Sequence, residues 1–411
     1  MEKKKIKLFI FGDSPSAHTG FGTVVRNIVL RLLKTGKYEI HCLGINYHGD
    51  PIDLHKIENL FIYPTTTNPY GFDRLLPLLF NVKPDLLFLV NDYDAIAPVP
   101  QILMQYKQQT GITLPVVFHF PVDGIPVYEE YVKFIETYIT KPVVISNFGK
   151  KAFEVVNPNL KMDQIYHGVD PDVFYPIPED KLKETKKQLK NKFIVLMVGV
   201  NQLRKAYPIA IDAFTEFAKD KDDVILFLHT QRNLDVGWNL EKIIKLYNIQ
   251  DKVYFTEGIR GAVGIDTASL NTIYNVADVF LTTTLGEGFG IPILEAMAAG
   301  CPVIYHNVTS VPEVTGGNGI PISTAGNLIF PKRDRELIRP LPNRTEIVSA
   351  LEKLYADKGY REELSKKSLA WVKEKLEDGT FNWDIIAEKF DNIFMDVLSE
   401  KEEYLELDEI L

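Results

Sequence analysis

Short apolar runs recur along this chain at residues 6–11, 40–44, 86–90, 116–120 and 143–145, and again at 193–199, 224–228, 253–255, 279–281 and 303–305. Helical patterns lie between them. Strands that alternate with helices in this way read as parallel α/β architecture. The pattern occurs twice, and 411 residues exceed what one core usually supports. The fold class is therefore α/β, with two doubly wound Rossmann-like domains. No period of 20–50 residues recurs, which argues against a repeat protein.

The two halves meet at Asp170-Pro171-Asp172-Val173-Phe174-Tyr175-Pro176-Ile177-Pro178, a crossing stiffened by proline. A lysine-rich stretch follows at 181–192, and its interleaved acids read as a solvated helix. Near the end, Phe381-Asn382-Trp383-Asp384 opens an amphipathic helix running to about residue 398, and 400–411 reads as a surface helix or frayed tail. Three segments result: residues 1–175, 176–382 and 383–411.

A charged share of 25% and a hydrophobic share of 45% suit a soluble globular protein. A net charge of -9 argues against coating nucleic acid by charge alone, although a local basic groove is compatible with it. Cys42 and Cys301 sit in apolar, strand-like contexts and read as buried reduced thiols. The start Met1-Glu2-Lys3-Lys4-Lys5 is charged like a leader, but the apolar stretch after it is short and contains Lys7. No run approaches the roughly 18 apolar residues of a spanning helix. The expectation is a cytoplasmic protein.

The richest segment is Gly286-Glu287-Gly288-Phe289-Gly290-Ile291-Pro292-Ile293-Leu294-Glu295-Ala296-Met297-Ala298-Ala299-Gly300. An apolar strand runs into a glycine turn, Pro292 suits the first helical position, and Gly300 is a natural stop. Glycines let backbone N–H groups approach a ligand, and a helix N-terminus favours negative charge, so phosphate fits. Glu295 is expected in the first turn with its carboxylate leaning back toward the same spot. A carboxylate accepts from two neighbouring hydroxyls, so the parts describe a nucleotide-sugar pocket. The plainer reading is acids complementing a helix dipole beside an ordinary turn.

Gly12-Asp13-Ser14-Pro15-Ser16-Ala17-His18-Thr19-Gly20-Phe21-Gly22-Thr23 repeats the strand, glycine turn and helix, here 24–33. Its spacing is not that of the dinucleotide fingerprint, which disfavours a nicotinamide site. Asn91-Asp92-Tyr93-Asp94 ends a strand in a carboxylate pair, but such pairs are common in turns and do not make a magnesium site without a bound diphosphate. Asp92 and Asp94 are assigned to the cleft rim, Asp92 on the acceptor side, without metal. Phe118-His119-Phe120-Pro121-Val122-Asp123-Gly124 leaves two readings open. His119 is either a satisfied core histidine or a group near the reacting sugar, and Asp123 either a loop residue or a ligand for an acceptor hydroxyl.

The text from Gly286 to Gly300, with Leu270-Asn271-Thr272-Ile273-Tyr274-Asn275-Val276-Ala277-Asp278-Val279-Phe280 upstream and Val311-Pro312-Glu313-Val314 downstream, resembles the retaining glycosyltransferases of family four, the glycosyl transferases group 1. That family has two glutamates separated by seven residues, as Glu287 and Glu295 are. The resemblance implies the GT-B fold, two Rossmann-like domains facing across a cleft. It implies an acceptor side in residues 1–175, a nucleotide-sugar side in 176–382, and a last helix crossing back. The donor would be a UDP- or GDP-linked sugar, with no further cofactor and no metal. By the same resemblance Arg204, Lys205, Glu287 and His119 are the catalytic candidates. The donor-binding candidates are Gly20, Phe21, Gly22, Asn201, Ile259, Arg260, Gly288, Phe289, Gly290, Ile291 and Glu295, and Asp123 and Asp92 face the acceptor. The family places an arginine directly after the strand glycine and a glycine after the lysine; here Val200 and Ala206 occupy those places, and Arg204 is the substitute cation. A nucleotide-sugar epimerase or hydrolase, a transferase acting on nucleic acid, and a silent carbohydrate-binding protein are the rival readings. The oligomeric state is not legible.

Overall fold

The computed structural model describes residues 4–235, 237–258, 264–331 and 334–410. The chain forms two compact units. One comprises Met1–Val122, Val127–His167 and Trp383–Leu411, the other Asp123–Pro126 and Gly168–Asn382.

The first unit is built on seven parallel strands: β1 (Ile6–Asp13), β2 (Tyr38–Ile45), β3 (Leu60–Pro64), β4 (Leu86–Val90), β5 (Val116–Phe120), β6 (Lys141–Val144) and β7 (Asp163–Gln164). Their spatial order is β3-β2-β1-β4-β5-β6-β7. Every residue of β4 and β5 is buried, as central strands covered on both faces require. The helix Trp383–Ile410 belongs to this unit although it is last in the chain. The Phe390 and Phe394 rings each lie 5.1 Å from the Phe88 ring of β4, the first tilted against it and the second edge-on. Asp391 is buried beside them, a position tolerated because Tyr38 Oη donates to one of its oxygens and Lys37 Nζ to the other, both at 2.5 Å.

The second unit repeats the plan with β8 (Phe193–Val198), β9 (Val224–His229), β10 (Val253–Phe255), β11 (Val279–Thr282), β12 (Val303–His306) and β13 (Ile320–Ile322) in the order β10-β9-β8-β11-β12-β13, all parallel. An antiparallel hairpin, β14 (Thr324–Ile329) and β15 (Ile338–Pro342), is appended outside that sheet, with all of β14 exposed. The proline crossing is pinned by side-chain amides of the helix Thr267–Val276. Asn275 Oδ1 accepts from Ile177 N–H at 2.6 Å, and Asn271 and Asn275 both donate to the Tyr175 carbonyl. These asparagines of the family-like text are structural. The lysine-rich stretch forms the helix Glu179–Gln188, in which Leu182 alone is buried.

All ten apolar runs are strands. Four further strands of the sheets and hairpin, β3, β7, β14 and β15, and the short β13, were not singled out from the sequence. They are edge or hairpin elements with few buried residues, so they lack the continuous apolar signal of a central strand. Both cysteines are buried and free. Among the described residues no helix is long and apolar enough to cross a membrane.

Candidate active site

In a doubly wound sheet, the connections leaving two adjacent central strands run to opposite sides, and the carboxyl ends of those strands open a crevice. In the second unit the strands are β8 and β11. The loop after β8 runs through Gly199 to the tight turn Leu203–Lys205, and the loop after β11 runs to Gly290. The loops are laced together: Leu285 N–H donates to the Arg204 carbonyl at 2.7 Å and Thr283 Oγ1 to the Lys205 carbonyl at 3.1 Å. Topology thus brings Arg204 and Lys205 onto Glu287.

Lys205 Nζ donates to Glu287 Oε1 at 2.5 Å, and Arg204 Nη1 to Glu287 Oε2 at 2.8 Å. Burial alone would raise the Glu287 pKa, but the two cations outweigh it and pull it down to about 2. Burial brings the Lys205 ammonium below its ordinary value, opposed by the field of Glu287. The glutamate backbone is fixed as well. Its N–H donates to Thr309 Oγ1 at 2.9 Å, and its carbonyl accepts from Thr309 Oγ1 and Ser310 Oγ. Ala206, where the family has glycine, is left-handed at φ 49. Glycine is the usual tenant of that backbone conformation, which costs an alanine about 1–2 kcal/mol.

The helix Ile291–Ala298 starts from Gly290, left-handed at φ 104, and no side chain caps it. Its N-terminal partial charge is therefore left to other partners. Because the helix begins at Ile291, Glu295 lies one residue past the first turn rather than within it. Its carboxyl is buried and accepts from Tyr274 Oη at 2.9 Å. Burial raises its pKa to about 8, against the smaller opposite effect of that hydrogen bond. Gly288 and Phe289 are buried in the turn, with the Phe289 ring edge-on to Phe381 at 5.8 Å, and Ile291 is half-buried.

Asp123 is also part of this unit. Its Oδ2 lies 3.2 Å from Arg204 Nε, its Oδ1 accepts from Arg335 Nη2 at 2.5 Å, and its carbonyl accepts from Arg339 Nη1. Burial would raise its pKa, but Arg335, Arg339 and Arg204 together hold it well below the ordinary carboxylate range. Both oxygens of Asp123 thus face arginines. Gly286 is required here, because a Cβ would be driven into the Asp123 carbonyl. Asn201 lies in the loop after β8. Its amide donates to the Gln231 and Trp238 carbonyls and accepts from Trp238 N–H, so it braces the loop and is fully buried.

In the first unit His119 has no exposed surface, its Nδ1 lies 3.0 Å from the Val143 carbonyl and its Nε2 3.1 Å from His167 Nε2. Burial lowers its pKa to about 4. Both ring nitrogens are thus occupied inside the unit, as in a satisfied core histidine. Gly20 and Phe21 open the helix Gly20–Lys34, and the Gly22 N–H is already taken by Thr19 Oγ1 at 3.0 Å. Asp92 precedes the turn Tyr93–Ile96, and among the described residues no group of three or more His, Cys, Asp or Glu could hold a metal. Ile259 and Arg260 lie outside the described residues. Tyr274, Thr309, Arg335 and Arg339 were not picked out from the sequence. Tyr274 stands within the family-like text, whereas the arginines carry no local motif.

The two Rossmann-like α/β units, with a basic and acidic cluster at one switch point, define a protein of the GT-B fold. Residues 179–371 match the family Glycosyl transferases group 1. It is 27% identical over 185 residues to O-antigen chain mannosyltransferase B of Escherichia coli, covering 44% of this chain and 36% of that protein. It is 23% identical over 386 residues to N-acetyl-alpha-D-glucosaminyl L-malate synthase of Bacillus anthracis, covering 82% and 94%. The chain thus spans about a third of the first relative and nearly all of the second. Among solved structures, sucrose-phosphate synthase from Thermosynechococcus elongatus superposes with a TM-score of 0.73 at 18% identity over 97% of this chain and 100% of that one. Anabaena HepE in complex with UDP and glucose superposes at 0.70 and 16% identity over 95% and 100%. These likenesses show the fold.

Proposed function

We propose that this protein is a retaining glycosyltransferase that moves a hexose from a UDP- or GDP-linked donor to an acceptor hydroxyl without a metal ion. The observation that carries the reading is the meeting of Arg204 and Lys205 with Glu287 beside an uncapped helix N-terminus. Breaking a sugar–diphosphate bond builds charge on the departing phosphate, and fixed cations stabilise that charge where it develops. Arg204 and Lys205 supply it from the protein, which is the basis for metal independence. The E. coli relative is named a mannosyltransferase, the B. anthracis relative a synthase of N-acetyl-alpha-D-glucosaminyl L-malate, and the Anabaena structure is a complex with UDP and glucose.

Glu287 is a poor nucleophile in this setting, since two cations hold its carboxylate and its pKa lies near 2. Same-face attack follows. The bond from the anomeric carbon to the diphosphate breaks, the acceptor oxygen bonds to that carbon on the same face, and the acceptor proton passes to the departing phosphate oxygen. Glu287 would orient the sugar, and Glu295 the ribose hydroxyls.

The test is incubation with UDP- and GDP-sugars and a panel of hydroxyl acceptors in the presence of a chelator, with the anomeric configuration of the product read by NMR. Transfer with retention is expected. Inverted product, strict dependence on added metal, or sugar release with no acceptor consumed would each overturn it, the last favouring a hydrolase.

A further inference from the structure

The hairpin β14–β15 contributes nothing to the six-stranded sheet, yet its connecting segment is held in a costly shape. Arg335 and Glu336 are successive left-handed residues, at φ 62 and 54. Non-glycine residues in that region cost of order 1–3 kcal/mol each and persist only where the surroundings enforce them. The anchor is Arg339, which has no exposed surface. Its Nε and Nη2 fork onto Asp334 at 2.6 and 2.9 Å while Nη1 donates to the Asp123 carbonyl. The segment so fixed delivers Arg335 to Asp123 Oδ1, and Arg204 lies on Oδ2 of the same carboxylate.

One carboxylate therefore sets two guanidinium groups side by side. Each keeps a fifth of its side chain exposed, in contrast to the closed Arg339. Among the described residues the cluster sets Arg204, Lys205, Arg335 and Arg339 against Asp123, Glu287 and Asp334, four cations to three anions. An excess positive charge in a largely buried cluster favours an anionic ligand, and planar guanidinium forks suit phosphate oxygens.

We propose that Arg335 is a further donor-binding residue, contacting the diphosphate next to Arg204, and that Asp123 is the positioning residue that aligns the two arginines. This rests on the nucleotide-sugar reading above. A simple structural ion pair would anchor the hairpin and leave nucleotide affinity untouched.

Calorimetric titration of the full chain with UDP, GDP and the corresponding nucleosides separates the cases, using wild type, Arg335→Ala and Arg335→Lys, with thermal unfolding of each. The expected result is a loss of about tenfold or more in nucleoside diphosphate affinity for Arg335→Ala. Nucleoside affinity should stay as in wild type, and Arg335→Lys should recover part of the loss. An Arg335→Ala protein that melts earlier but binds the diphosphate as wild type does would overturn the inference while leaving the transferase reading intact. A wild type that binds neither diphosphate would overturn both.

Discussion

Lys205 Nζ and Glu287 Oε1 face each other at 2.5 Å across the switch point of the second unit, with Arg204 on the other carboxylate oxygen. Removing one partner of such a group leaves a buried charge uncompensated, at about 3–5 kcal/mol. Glu287→Ala is accordingly expected to destabilise by about that much, and Glu287→Gln by less, because the amide oxygen still accepts. Arg204→Ala and Lys205→Ala should each lower kcat by about a hundredfold or more. Their effects should not add, because both act on one carboxylate. Denaturant unfolding together with kcat for the singles and the double checks this, and unchanged turnover in the double would move the leaving-group role elsewhere.

Glu295 gives the pH signature. Its pKa rises to about 8 from an ordinary 4.5, so its contribution to stability is complete below 4.5 and is lost as pH rises through 8. At pH 7 the free protein holds it protonated. A ribose whose two hydroxyls donate to this group favours the carboxylate, so binding should release about one proton and affinity should rise from about pH 6 to 8. Titration calorimetry at pH 7 in two buffers of different ionisation enthalpy measures that proton. Glu295→Gln should bind more weakly and without proton release; release unchanged in this variant would remove Glu295 from the ribose site.

The central strands and the Glu287 to Glu295 segment were legible because each is a local pattern. A continuous apolar run, a glycine turn and a proline-opened helix need no knowledge of distant residues. Asp123, Arg335 and Arg339 were not legible, since their meeting spans more than two hundred positions and arises in turns without a motif. Asp123 looked like a loop residue open to ligand, and only the fold shows its arginines. His119 can be read either way from sequence, because phenylalanine neighbours accompany core and site histidines alike; its contact with His167 carries no local signal. The exposed β14 places its large apolar residues, Leu328 and Ile329, only at its end.

His119 itself supplies a stability prediction. Its pKa is lowered from 6.5 to about 4 by burial, and His167 is lowered as well, by burial and by the nearby His119. A group buried neutral in this way contributes stability that is full above about pH 6.5 and lost as pH falls toward 4, to the extent of about 3 kcal/mol for one such shift. Glu287 adds a second, more acidic window, from 4.5 down to about 2. His119→Gln should lessen the loss of stability between pH 6.5 and 4, with His167 and His229 still contributing, and leave kcat and KM at neutral pH within about twofold of wild type. A large fall in kcat with an unchanged melting profile would restore His119 to the chemistry.

Gly286→Ala tests whether the cluster depends on the close approach of two backbones. The new methyl would be driven into the Asp123 carbonyl and against Arg339 Nη1, and neither can retreat. The carbonyl is backbone, and the guanidinium is forked onto Asp334. Overpacking of this kind costs about 1–3 kcal/mol, occasionally more. It should also pull Asp123 off Arg204, so that affinity for the diphosphate falls more than affinity for the bare nucleoside. Thermal unfolding and the same pair of titrations read both effects. A variant with wild-type melting and wild-type diphosphate binding would show that the 286 and 123 backbones are free to part, and that Glu287 and the Gly286 carbonyl align Arg204 without Asp123.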